Sequence, residues 1–412
     1  MGFQSALSGL NAASKNIDVI GNNVANANTI GFKIGRAVFA DVYANALGGS
    51  GTNSIGIGVK ITDITQEFTQ GNVTVTNSPL DLAINGQGFF RFDNNGATTY
   101  SRNGQMHLDK SGYLVNADDL KLTGYGVDAL QNIVSSAPVP LRLATGDIVP
   151  RSTTALEATL NLDSRATAIV VPFNAANAAT YTNSTSTAIY DSLGNAHALT
   201  MFFTKTAVAG VWNLQATLDG GAPAGIDLGA GAGNPVTLTF NASGALTTAQ
   251  PIAGITIAVP GGAITPQTVS LDFTGTSQFG AEFGTSALTQ DGYTSGRLIG
   301  FDIADNGIIQ GRYTNGQANT LGQVVLANFP NPQGLASLGD NMWGETSTSG
   351  LPLVGTPRTS SLGTLQSAAV EESNVDLTQE LVNMITAQRI YQANAQTIKT
   401  QDQVLQTIVN LK

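Results

Sequence analysis

The residues able to do acid–base, nucleophilic or metal chemistry are few and poorly placed for it. Only two histidines occur in 412 residues, His107 and His197. His107 stands in a predicted strand near Arg102 and Asp109, and His197 follows the Gly194-Asn195 turn; each reads as a sheet or surface residue. There is no cysteine, which removes thiol nucleophiles, thiolate metal sites and disulfides together. Ser361-Leu362-Gly363 lacks a G-x-S-x-G context. Gly86-Gln87-Gly88 is not followed by the helix that a dinucleotide fingerprint needs. Asp302, Asp305 and Asn306 invite a calcium reading, but the segment lacks the D-x-[DN]-x-[DN]-G spacing and the closing Glu of a calcium loop. A hairpin turn at Asp305-Asn306-Gly307 accounts for them. The expectation is a protein with no catalytic residues, no metal and no cofactor.

The composition points toward a covered surface. Charged residues make up 11% of the chain, against about 25% in an ordinary soluble protein. Gly, Ala, Thr, Asn, Ser and Gln fill the gap, a mix that favours turns and β-structure with neutral polar faces. The net charge is −10 and the basic residues are scattered, so nucleic acid is not an expected partner. No apolar run approaches the ~18 residues of a membrane span. Met1 to Ile20 show no basic segment followed by a compact apolar one, so no cleavable signal peptide is expected.

The two ends must supply whatever order such a surface needs. Phe3, Leu10, Ile17 and Val24 recur every seven residues, with Leu7 between them, and predict an amphipathic helix from about Ser5 to Asn26. Asn22, Asn23, Asn26, Asn28 and Gly31 signal its end. A longer pattern runs from about Asp376 to Asn410 without Gly or Pro. One heptad position holds Met384, Tyr391, Ile398 and Leu405. The other holds Leu381, Gln388, Ala395, Asp402 and Val409, and Leu377, Ile385 and Ile390 widen the apolar side. Asn374 or Asp376 can cap the start, and Glu371, Glu372 and Glu380 lie near the positive end of the helix dipole. Neither stripe has a core of its own, so the termini are expected to pair as an antiparallel or crossing helical hairpin of coiled-coil type. Polar Gln388 and Asp402 make that pair marginal in isolation, so its ends are expected to gain order from subunit packing.

Between the ends the pattern is β. A Gly-rich connector, flexible at Gly48–Gly51, leads to a strand within Ile55–Phe68. Strands are predicted at Val73–Thr76, Leu80–Ile84, Gly88–Phe92, Met106–Leu108, Leu114–Asn116 and Lys121–Tyr125, with turns at Asn85-Gly86, Asn94-Asn95-Gly96 and Asn103-Gly104. After Pro138-Val139-Pro140 the chain becomes rich in Thr, Ala and Gly, with strands at Ala196–Thr204, Val211–Thr217, Pro235–Asn241 and Val269–Phe273; this reads as a separate barrel or sandwich. Leu298–Ile303, Ile308–Tyr313 and Gly322–Asn328 return to the first pattern. The fold class is multidomain α+β: a terminal helical pair and two mainly antiparallel β-domains, the outer nested in the inner. The boundaries are 1–33 with 370–412 for the helical core, 34–70 and 344–369 for connectors, 71–144 with 286–343 for the inner β-domain, and 145–285 for the outer one.

Three segments carry a resemblance. Asn22–Lys33 reads N-N-V-A-N-A-N-T-I-G-F-K, with Asn22, Asn23, Ala25, Asn26, Thr29, Gly31, Phe32 and Lys33. Asp81–Phe90 reads D-L-A-I-N-G-Q-G-F-F, with Asp81, Ile84, Asn85, Gly86, Gly88, Phe89 and Phe90. Ser373–Ala395 opens with Asn374, Val375 and Asp376. In this order they resemble the flagellar rod and hook axial protein family. The length and the nested middle domain resemble its hook members, since rod members are commonly shorter. The resemblance implies a helical tubular polymer whose terminal helices line a central channel, acting as a universal joint that transmits torque from rod to filament. It also implies self-association, contacts with the hook cap, the distal rod and hook–filament junction proteins, and export by the flagellar type III apparatus to the extracellular hook at the distal end of the basal body.

Two other readings compete. One is a distal-rod protein with an enlarged outer domain. The other is a secreted adhesin-like β-protein on oligomerising helices. The middle domain has Trp212 and several tyrosines but no clustered aromatics of the kind a glycan site needs.

Overall fold

The structure is a computed structural model that describes residues 2–42, 56, 58–128 and 131–410. The Gly48–Gly51 connector, Ile55 and the side chain of Val409 lie outside the described residues. The chain divides into two compact units: residues 1–145, 300–312 and 318–412, and residues 146–299 with 313–317.

The first unit holds both helices, α1 (Gly2–Ala25) and α2 (Leu377–Asn410). The connector forms a two-stranded antiparallel ribbon of Gly35–Val42 and Gly58–Gln66. Its first strand was not expected, because Gly35 and the alternation of Arg36, Ala37, Val38 and Phe39 carry no clean two-residue period. Beyond the ribbon lies a mainly antiparallel sheet of 13 strands among the described residues. Phe89–Asn94 and Ala97–Ser101 pair through Asn95 and Gly96, whose φ values of 50° and 96° are those of a primed hairpin turn. The late segment expected at Gly322–Asn328 is two strands, Ala318–Val324 and Leu326–Asn328. The first pairs with Lys121–Tyr125 and the second with Phe89–Asn94, so the returning chain completes the early sheet. Two cores form. Leu82, Ile84, Phe90, Phe92, Leu122 and Leu326 belong to one. An aromatic cluster of Phe89, Tyr100, Phe329 and Trp343 is the other, with Phe68 packed edge-on at 5.3 Å from both Phe89 and Trp343.

The second unit packs a five-stranded sheet and a four-stranded sheet around one core. Trp212, Leu214, Met201 and Phe203 enter it from one sheet, and Leu156, Ile255, Val269 and Leu271 from the other. The alternation buried–exposed along Ala155–Asn161 and Gln267–Asp272 is the period of two that a one-sided sheet requires. One pairing, Ala155–Asn161 with Gln267–Asp272, is parallel.

His197 is buried in Ala196–Lys205, with Nδ1 at 2.8 Å from Asp219 and Nε2 at 3.3 Å from Asp191. It pins the turn at one end of the four-stranded sheet. Burial works against ionised Asp191, but hydrogen bonds from Asn195, His197 and the Leu193 amide outweigh it and bring its pKa down to about 2. A carboxylate depressed in the folded state contributes stability above its unfolded value of about 3.9 and loses it as pH falls toward the folded one. The melting temperature of this unit should therefore drop between about pH 4 and pH 2. Asp191→Asn should flatten that drop while lowering the melting temperature at neutral pH. An unchanged acid profile in calorimetry would contradict the assignment.

Candidate functional site

The two helices run antiparallel through a seam of small and polar residues. Asn23 Nδ2 donates to Glu380 at 3.0 Å. At the far end a Cβ on Gly9 would lie 2.9 Å from Asn394 Oδ1. Both pairs obey one register, which puts Asn16 opposite Ala387. Ala6, Ala13 and Ile20 of α1 and Ala387 of α2 are buried. This heptad series sits three residues along from the expected Phe3, Leu10, Ile17 and Val24. Small residues at Ala6, Gly9, Ala13 and Ala387 let the two backbones come close over most of the seam, with the larger Ile20 buried on the same face.

The larger apolar residues are consequently left on other faces. Phe3 and Leu7 are 45% and 43% exposed, and Leu377, Leu381, Ile385, Ile390, Tyr391 and Leu405 are exposed as well. Gln388 is exposed, while Leu10, Ile17, Val24, Met384, Ala395 and Ile398 are half-buried. In α2 only Glu380 and Ala387 are buried among the described residues. With this register α1 begins opposite Gln401, so residues 402–410 of α2 run past it.

The three recognised segments converge where the helices join the sheet. Glu371, just before α2, is fully buried, and its carboxylate accepts from Lys33 Nζ at 2.6 Å, Arg102 at 3.0 Å and the Gly71 amide at 2.9 Å. Lys33 also donates to the Thr69 carbonyl at 2.7 Å, and Arg102 to the Gly86 carbonyl at 2.8 Å. The Arg102 guanidinium stands 5.4 Å from the Phe89 ring centroid. Burial pushes both cations down from their ordinary pKa values, against the pull of Glu371, and the neighbouring Arg102 lowers Lys33 further. Two cations thus share one carboxylate. Gly31 permits the close approach: its φ is +72° and a Cβ would lie 2.6 Å from the Asn103 amide nitrogen. Its own amide donates to the Glu371 carbonyl at 2.8 Å.

Asparagines complete the anchor. Asn23 holds the Gly35 backbone from both sides, donating to its carbonyl at 2.8 Å and accepting from its amide at 2.9 Å. Asn374 accepts from the Ile34 amide and donates to the Glu67 carbonyl, each at 2.8 Å. Asp376 caps α2 by accepting from the Thr378 and Gln379 amides. Of the two expected caps, Asn374 is therefore a bridge and Asp376 the cap. Phe32, Ile84, Gly88, Phe89 and Phe90 are buried, Asp81, Gly86, Asn26, Thr29 and Val375 half-buried, and Asn22, Ala25 and Asn85 exposed. The sequence pattern does not single out Arg102 and places Glu371 only near the helix dipole. The available signal was scarcity: in so weakly charged a chain, Glu371 following apolar Ala369-Val370 needs a cationic partner to be buried.

Four family models match, in chain order. They are the flagella basal body rod protein (residues 3–33), the flagellar hook protein FlgE/F/G D1 domain (83–180), the flagellar basal body protein FlaE D2 domain (161–293) and the flagellar basal body rod FlgEFG protein C-terminal (366–411). The flagellar hook protein FlgE of Escherichia coli K12 is 45% identical, covering 100% of both chains. The chain belongs to the flagellar hook protein family. Its Salmonella typhimurium relative is 43% identical over 100% of both chains, and that of Borreliella burgdorferi 34% identical over 99% of this chain and 98% of its own. The crystal structure of Helicobacter pylori flagellar hook protein FlgE2 shares the fold, with a TM-score of 0.51 at 13% identity, covering 71% of this chain and 99% of that one. Like these relatives the chain is a structural protein of the flagellar hook. No described helix is long and apolar enough to cross a membrane.

Proposed function

We propose that this hook-family chain polymerises through its terminal helices into a flexible extracellular tube that passes torque from rod to filament. The observation that carries the reading is the division of labour on α1 and α2: small and polar residues make the intrachain seam, and Phe3, Leu7, Leu381, Ile385 and Tyr391 are left outside it. Fully burying a leucine or isoleucine is worth about 1.5–3 kcal/mol, so a few such contacts per neighbour favour assembly. On this reading the helical core comprises 1–33 and 370–412 as a coiled-coil pair, an inner β-domain follows, and an outer domain is nested in it. Phe3, Leu7, Leu10, Ile17 and Val24, with Leu377, Leu381, Met384, Gln388, Tyr391, Ala395, Ile398, Leu405 and Val409, form the assembly surface. The hook cap, distal rod and junction proteins meet that surface at the polymer ends, and the chain leaves the cell through the flagellar type III apparatus.

The test is Leu381→Glu with Ile385→Glu. Both sites are exposed and glutamate is a good helix former, so the circular dichroism spectrum and melting temperature should hold. Filamentous polymers seen by electron microscopy should disappear. Normal polymers from the double variant would refute the assembly surface.

A further inference from the structure

Six strands of the first unit form one antiparallel run, in the order Leu353–Gly355, Leu326–Asn328, Phe89–Asn94, Ala97–Ser101, Met342–Gly344 and Ala336–Gly339. The two outer strands pair on one side only. Among the described residues, neither makes a backbone hydrogen bond to any segment beyond its paired strand. Free edges are usually guarded by charge, by proline within the strand or by a cover, because they template pairing with another chain. Here Ala336, Ser337, Leu338 and Gly339 are all exposed and uncharged. Leu353 is 60% exposed, and Leu351, just outside the strand, 83%. A register shift between Ser337 and Gly339 keeps the available edge short.

The even number of strands has a geometric result. The two edges run in opposite senses, so one edge strand laid beside the other, from a second copy, continues the alternation. A cleft of about 450 Å³ beside the Ala336–Gly339 edge, lined by Val19, Ile64, Phe68 and Leu335 and also by polar Asp18 and Gln66, offers partly apolar walls to the incoming strand. The two surfaces differ, so the contact is heterologous and propagates instead of closing into a dimer.

We infer that the Ala336–Gly339 edge of one copy accepts the Leu353–Gly355 edge of a second copy by strand addition, so that the sheets of neighbouring subunits join within the polymer. This rests on the polymerisation proposed above. So short an edge makes too few bonds to hold two free monomers, and it acts only once the helices have brought copies together.

The absence of cysteine makes the test direct. Ser337→Cys and Leu353→Cys are made singly and together in the full chain, polymerised and oxidised. The double variant should give a ladder of disulfide-linked multimers. A mixture of the two single variants should give linked dimers at least tenfold above either alone. Polymers that form normally yet yield no such links would overturn the inference and leave the assembly reading standing. Links within either single variant alone would mean self-complementary pairing and would also overturn it. If no polymer forms from the parent chain, the assembly reading falls first, and this contact with it.

Discussion

Replacing Glu371 by glutamine should cost on the order of 3–5 kcal/mol, the usual result of breaking a buried charge pair from one side. The carboxylate balances Lys33 and Arg102, and both cations are buried. Glutamine retains one acceptor oxygen but turns an amide N–H₂ toward a cation and leaves two buried positive charges uncompensated. At roughly 2–4 °C per kcal/mol for a unit of this size, the melting temperature of the first unit should fall by roughly 10 °C. Charge arithmetic sets the order of effects. Lys33→Met leaves one cation with one carboxylate and should cost clearly less. Replacing all three by apolar residues of similar volume should recover most of the loss, because the desolvation cost then disappears along with the attraction. Calorimetry of the three variants decides it. If Lys33→Met proves as damaging as Glu371→Gln, the charge-balance account is wrong.

Trp212→Ala should be comparably severe in the second unit, at about 3–5 kcal/mol for an indole deleted from a close-packed core. Trp212 is fully buried between the two sheets, and its Nε1–H has no hydrogen-bond partner. Trp212→Phe removes that unsatisfied donor along with part of the ring, and should cost less than half as much. The protein has two tryptophans, so each substitution leaves a single fluorophore. In Trp212→Ala the remaining signal is Trp343, held by Phe68, Phe89 and a 2.6 Å hydrogen bond to Gln66 in the first unit. Its emission should report an intact aromatic cluster at temperatures where circular dichroism has already registered loss of β-structure.

Much of this fold could be read from residue order. Lys121–Tyr125, Leu298–Ile303 and Ile308–Tyr313 fall where alternation and turn residues place them, and α2 starts within a residue of its cap. What escaped was set by packing. The apolar heptad of α1 marks a surface that needs cover but does not say which neighbour provides it. The intrachain seam uses Ala6, Ala13, Asn23 and Ala387, residues too small or too polar to register as a stripe. Strands two residues long, such as Ile226–Asp227, which pairs with Thr256 and Ile257, hold their place through neighbours distant in sequence. The anchor was half legible: Lys33 and Gly31 stand in a recognisable segment, while Arg102 and Glu371 become partners only when positions 269 residues apart meet.

The extension of α2 beyond the start of α1 gives each subunit a direction. Among the described residues, 402–410 of α2 lie beyond the span of α1, at one end of the helical pair and not at the other. In any stack built by repeating one contact, that segment is covered everywhere except at a single terminus. The two ends of such a stack are chemically different, so each presents a different surface to whatever it meets.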